Sequence, residues 1–130
     1  MATGVEIAGF VLASFPLVIS ALEHSREILK PLKDWYRYRT EFLKLSGTIS
    51  VQETLFKARL DMLLGPIVTS DSEMAVLLNE PGGPEWGNRN LAERLQERLG
   101  DSHDSYLTTI LEMNKILEEL IMELRIVEVT

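Results

Sequence analysis

A chain of 130 residues with 45% hydrophobic and 25% charged side chains is long enough for one domain with a core and too apolar for a disordered segment. The absence of cysteine excludes disulfide scaffolds, cysteine-ligated zinc and thiol catalysis, and fits a cytoplasmic protein. A net charge of −7 argues against a general nucleic-acid binder, which needs basic surface to neutralise phosphates. Charge is unevenly placed: residues 1–70 carry a net +1 and residues 71–130 a net −8, so any contact with an anionic membrane belongs to the first half.

The first element is predicted from about Val5 to Glu23. Sixteen uncharged residues separate Glu6 from Glu23, with apolar side chains in every direction a helix offers, and such a helix must be buried in protein or lipid. Residues 1–6 contain Glu6 and no Lys or Arg, so the basic n-region of a signal peptide is missing. The uncharged run falls short of the roughly 20 apolar residues of a fixed membrane span, so a core helix able to reach membrane under other conditions is expected. Pro16 predicts a kink near Leu12–Pro16. Gly9, Ala13 and Ser14 would let a neighbouring helix approach closely.

The second helix is announced by the stretch from Leu22 to Leu45, with Pro31 either kinking it or sitting in its first turn. Ile28, Leu32, Trp35, Phe42 and Leu45 form its apolar stripe, broadened by Leu29, Tyr36 and Leu43. Among them lie Arg26, Lys30, Lys33, Arg37, Arg39 and Lys44, the one basic concentration in the chain, opposed by Glu27, Asp34 and Glu41. The stripe continues in phase through Ile49, Phe56, Leu60 and Leu63, which favours one long helix to about Leu64 over a new start at the capping pattern Ser50-x-x-Glu53. Gly65-Pro66 ends it.

Ser70-x-x-Glu73 opens a short helix to Asn79, and Pro81 to Asn88 reads as an exposed loop from which Trp86 folds back. Asn88 or Asn90 caps a short helix bearing Leu91, Leu95 and Leu99, ended by Gly100. Asp101 or Ser102 caps the last helix, where Tyr106, Ile110, Met113, Leu117, Leu120, Leu124 and Val127 keep a heptad seam suited to bundle packing or, alternatively, to a dimer. No strand pattern occurs. The expected fold is all-α, a bundle of four to five helices in a single domain over residues 1–130. From the stop at Val129-Thr130 without a closing device, the expectation is the N-terminal domain of a longer protein.

Chemistry is sparse. His24 and His103 lie far apart, without a second His at i+3 or i+4, so no metal site is expected. Pro81-Gly82-Gly83-Pro84 lacks the lysine and hydroxyl of a phosphate loop, and no serine elbow occurs. The expectation is a non-enzyme with no cofactor and no small-molecule substrate. The run Trp35-Tyr36-Arg37-Tyr38-Arg39 interleaves rings and cations. That pattern serves nucleic acid, an interfacial belt at headgroup depth, or simply a core Trp35 and Phe42 beside solvated Arg37 and Arg39.

The N-terminal pattern G-x-E-x-x-G-x-V-L-x-x-x-P-L-x-I-S-A-L-E-H is carried by Gly4, Glu6, Gly9, Val11, Leu12, Pro16, Leu17 and Ile19 to His24. Together with Leu32-Lys33-Asp34-Trp35 and Glu80-Pro81-Gly82-Gly83-Pro84, it resembles the fungal HeLo and HeLo-like helical N-terminal domains of the prion-inhibition and cell-death type, in an uncharacterised branch. The resemblance implies a signalling or effector role in fungal programmed cell death, with a hydrophobic first helix held in a bundle and released on activation to target or perforate a membrane. Carried onto this chain, the membrane-active side chains are Val5, Ile7, Phe10, Val11, Leu12, Phe15, Leu17, Val18, Ile19 and Leu22. The basic and aromatic cluster of Arg26, Lys30, Lys33, Trp35, Arg37, Arg39 and Lys44 predicts a preference for anionic lipid. The competing expectation is an adaptor or oligomerisation module that binds itself or other helical domains and never meets lipid.

Overall fold

The computed structural model describes residues 3–129, and their side chains as far as Leu124. Val127 of the predicted seam and the chain end at Thr130 lie outside the described side chains. Five α-helices follow one another: α1 (Gly4–Leu29), α2 (Trp35–Leu64), α3 (Asp71–Asn79), α4 (Arg89–Leu99) and α5 (His103–Val129), with single 3-10 turns at Pro84–Gly87 and Gly100–Ser102. The fold is an all-α bundle, and no strand occurs among the described residues.

α1 is the axis of the bundle. It forms an antiparallel hairpin with α2, where the rings of Phe15 and Phe56 meet at 5.7 Å. α5 runs parallel to α1 from a shared end, where the Tyr106 hydroxyl donates to the Gly4 carbonyl at 3.2 Å. Val5, Val11, Leu12, Phe15, Val18 and Leu22 of α1 are all but inaccessible, and they face Leu60 and Leu64 of α2 and Ile110, Leu117 and Leu124 of α5. The α5 seam is therefore spent inside the bundle. α2 and α5 scarcely touch. Between them lies an apolar groove of about 330 Å³ lined by Phe56, Leu60, Leu63, Tyr106, Ile110 and Met113, with Gln52, Arg59 and Thr109 on its rim.

Several sequence expectations change. α1 does not end at Glu23 but continues to Leu29, so His24 to Leu29 belong to it and not to the second helix. Pro31 lies in the reversal between the helices, where its missing amide hydrogen leaves no helix bond unmade. At 26 residues and about 1.5 Å per residue, α1 is about 39 Å long, the reach of a bilayer, but the turns beyond Leu22 bring in Glu23, Arg26 and Glu27 and leave the uncharged run at sixteen residues. It is also not buried all round: Phe10 and Leu17 are 44% and 54% exposed, beside Pro16 on the solvent side. The helix stays continuous across Pro16, and just before it the Ser14 hydroxyl donates to the Phe10 carbonyl.

α2 is one helix of 30 residues, as its unbroken phase required, and Ser50 lies in its interior. Ser70 does cap α3, accepting from the Glu73 amide, but the Glu73 carboxylate reaches one residue further back, to the amide and hydroxyl of Thr69. Those two donors, helped by Arg94 at 3.8 Å, hold the carboxyl below its usual range. A 3-10 turn leads into α5 at His103, where a cap by Asp101 or Ser102 was expected.

The segment expected as an exposed loop is a packed strap. Trp86 is 1% exposed, and its indole nitrogen donates to the carbonyls of Leu77 and Glu80 at 3.0 and 3.1 Å. The small residues of α1 receive this strap, not a helix: a Cβ on Gly9 would stand 2.7 Å from the Trp86 ring. Gly82, with φ of +73°, brings the strap against Ala13 and the Gly9 carbonyl. Burial of the indole is what draws a Gly-Pro-rich stretch onto the bundle.

Candidate functional site

The reversal after Leu29 folds two charged stretches onto each other. In an antiparallel hairpin centred on residues 30–34, residues equally distant from the turn become neighbours, which brings Arg26 near Arg39. These two, with Lys30, Trp35, Tyr36 and Leu43, line a cavity of about 400 Å³ at the α1–α2 corner. No carboxylate lines it, although Glu23, Glu27, Asp34 and Glu41 occur in the same segments. Among the described residues, none of Arg26, Lys30, Lys33, Arg37, Arg39 and Lys44 forms an ion pair.

Local reasons account for part of this. Arg26 and Lys30 lie in the last turn and at the C-cap of α1, where the helix carbonyls favour cations. Arg39 has no such role. Asp34 stands at the N-cap of α2 without a side-chain bond to the first-turn amides, and the Trp35 and Arg37 amides donate instead to the carbonyls of Leu32 and Asp34 at 3.1 and 3.0 Å. Trp35 is half-buried and rests edge-on against Phe42 at 5.6 Å, which fixes one wall.

Of the seven predicted cluster residues, Arg26, Lys30, Trp35 and Arg39 are brought together, whereas Lys33, Arg37 and Lys44 do not line the cavity. Arg37 lies over the ring of Tyr38 at 5.9 Å instead. Tyr36 and Leu43 were expected to broaden the core stripe. They are 85% and 39% exposed, and they complete the cavity. Sequence reasoning missed them because it carried one stripe through the turn, while the reversal resets which face of α2 meets α1.

The predicted membrane-active side chains separate by exposure. Val5, Ile7, Val11, Leu12, Phe15, Val18 and Leu22 are buried, Ile19 is half-buried, and Phe10 and Leu17 are exposed. On α2, Val51, Leu55, Ala58 and Met62 form a second heptad-spaced stripe, and it faces solvent. The corner offers charge and aromatic surface: Arg26, Lys30 and Arg39 stand beside the Trp35 and Tyr36 rings, with the Tyr36 phenol as the hydroxyl of the lining. Comparison with protein-family models, curated proteins and solved structures returns no match to this chain.

Proposed function

We propose that this chain is a non-catalytic effector or signalling domain that associates with anionic membrane through its α1–α2 corner and keeps α1, the membrane-active segment, inside its core until it does so. The observation that carries this reading is the convergence of Arg26, Lys30 and Arg39 beside Trp35 and Tyr36, at one end of a helix long and apolar enough to cross a bilayer. Cations with amphipathic rings are the surface chemistry of the headgroup region.

Magnitudes shape the mechanism. Six large side chains of α1, Val5, Val11, Leu12, Phe15, Val18 and Leu22, are at most 3% exposed. At about 1.5–3 kcal/mol each, withdrawing them costs on the order of 9–18 kcal/mol, as much as a whole domain's stability. α1 therefore does not leave as a lid. Its release is the opening of the domain, and lipid must supply a comparable apolar environment in exchange. The corner comes first because its charges are already outside.

The test is flotation with phosphatidylcholine vesicles, with and without phosphatidylserine, alongside release of an entrapped dye. Binding to the anionic vesicles alone, weakening as salt rises, supports the reading. Equal binding to neutral vesicles, or none to either, overturns it. A helical adaptor is the second reading, favoured by the solvent-facing stripe of Val51, Leu55, Ala58 and Met62. A concentration-dependent dimer lost in Leu55→Glu, with no vesicle affinity, would select it.

A further inference from the structure

The corner cavity has features that a diffuse basic surface lacks. Three cations converge on one space: Arg26 in the last turn of α1 and Lys30 at its C-cap, four residues apart, and Arg39 facing them from α2. Like charges at i and i+4 on a helix repel. The carboxylates that could relieve them, Glu23, Glu27, Asp34 and Glu41, lie outside the lining. A bound anion would remove this repulsion.

We infer that the α1–α2 corner is a discrete site for a phosphate monoester, held by Arg26, Lys30 and Arg39 against the Trp35 and Tyr36 rings. The inference deepens the membrane reading, on which it rests, by naming the headgroup chemistry. A monoester carries about −1.5 to −2 charges at neutral pH and three terminal oxygens, one for each cationic side chain. A phosphodiester offers a single charge and two free oxygens, and in phosphatidylserine the further anionic group, the serine carboxylate, stands apart from the phosphate and beside an ammonium, so neither group presents a compact dianion to all three cations. Guanidinium groups match phosphate oxygens in pairs, which gives Arg26 and Arg39 more of the selectivity than Lys30. The cavity, about 400 Å³, exceeds a phosphate group and leaves room for a carrier ring against the aromatic wall. The carrier is either a lipid headgroup or a soluble phosphorylated sugar or polyol, and the chemistry at the cavity is the same for both.

The two tryptophans allow a direct reading. Trp35 lines the cavity, while Trp86 is buried under the strap on α1. Titration with soluble inositol 1,4,5-trisphosphate, followed by the two indole N–H resonances, is expected to shift Trp35 and leave Trp86 in place. Arg26→Gln and Arg39→Gln each weaken binding at least tenfold, about 1.4 kcal/mol. Lys33→Gln and Lys44→Gln, which remove the same charge from the same cluster outside the cavity, weaken it less than threefold. Circular dichroism confirms that all four variants, each at an exposed position, keep the helical fold.

Vesicles form the second arm. Phosphatidylinositol 4-phosphate at matched surface charge is expected to bind tighter than phosphatidylserine if the carrier is a lipid. If the soluble ligand binds with the predicted variant pattern but neither vesicle does, the site stands with a soluble carrier and the membrane reading fails. If both vesicles bind equally per charge and all four variants lose equally, the corner is diffuse electrostatics: the site is refuted and the membrane reading survives. Failure of both soluble ligand and vesicles refutes both.

Discussion

Gly9 is the contact through which the strap fastens α1. Replacing it with alanine places a Cβ 2.7 Å from two atoms of the Trp86 ring and 3.1 Å from the Trp86 Cβ, well inside van der Waals contact. The ring cannot easily retreat, since it is 1% exposed and its nitrogen is tied to two carbonyls. Overpacking of this kind costs about 1–3 kcal/mol, and removing a helical glycine returns about 1 kcal/mol, so Gly9→Ala is expected to destabilise by up to about 2 kcal/mol. Gly47 provides the matched control: it lies in α2 with nothing within 4 Å of an added Cβ. Gly47→Ala is expected to stabilise by about 0.5–1 kcal/mol through the same helix preference. Urea unfolding followed by far-UV circular dichroism compares the two, with Trp86 fluorescence reporting the strap. Because the strap helps hold α1 in the bundle, Gly9→Ala should also release dye from anionic vesicles at lower protein concentration. If Gly9→Ala proves as stabilising as Gly47→Ala, the strap is not packed on α1 and its place in the mechanism is wrong.

Other expectations follow from single residues. Leu17→Lys, at an exposed position of α1, should change stability by less than about 0.5 kcal/mol yet abolish dye release while leaving vesicle binding intact; unchanged release would remove α1 from the membrane step. Burial pushes the Tyr106 phenol from 10.0 up to about 12. Its folded-state pKa is raised, so its contribution is complete below pH 10 and is lost as pH rises towards 12, a loss that urea titrations should find missing in Tyr106→Phe. Glu73 shifts the other way, lowered by the Thr69 hydroxyl and amide, so the stability it gives is present above its unfolded pKa and lost as pH falls through the folded value. Glu73→Gln should flatten that acid limb, and an unaltered limb would show that the Thr69 contacts contribute nothing.

The pieces legible in the sequence were those set by local period and capping. The α5 seam from Tyr106 to Leu124, the unbroken phase of α2 and the Ser70 cap all depend on residues three or four apart, and each is present. The Trp86 anchor was half legible: a lone tryptophan in a Gly-Pro-rich stretch has to be buried somewhere, but that it lands on Gly9 depends on a contact 77 residues away in the chain. The corner was misread at its hinge. Pro31 was expected as a kink in the second helix or in its first turn; it lies instead in a reversal between α1 and α2, and that reversal is what lets Arg26 and Arg39 share a cavity. The exposure of Phe10, Leu17, Tyr36 and Leu43 was hidden for a related reason. Hydrophobicity shows which residues prefer burial, whereas the number of neighbours around each helix decides which obtain it.

Hydrogen exchange read by mass spectrometry, on protein alone and on protein bound to anionic vesicles, tests most directly whether the corner meets lipid first and α1 follows. Vesicle-bound protein should gain protection across residues 26–44, and α5 should lose protection along the face that α1 covers, because α1 has moved from bundle to bilayer. Vesicle-bound protein whose α1, α2 and α5 exchange just as they do in solution would contradict both the docking surface and the released helix.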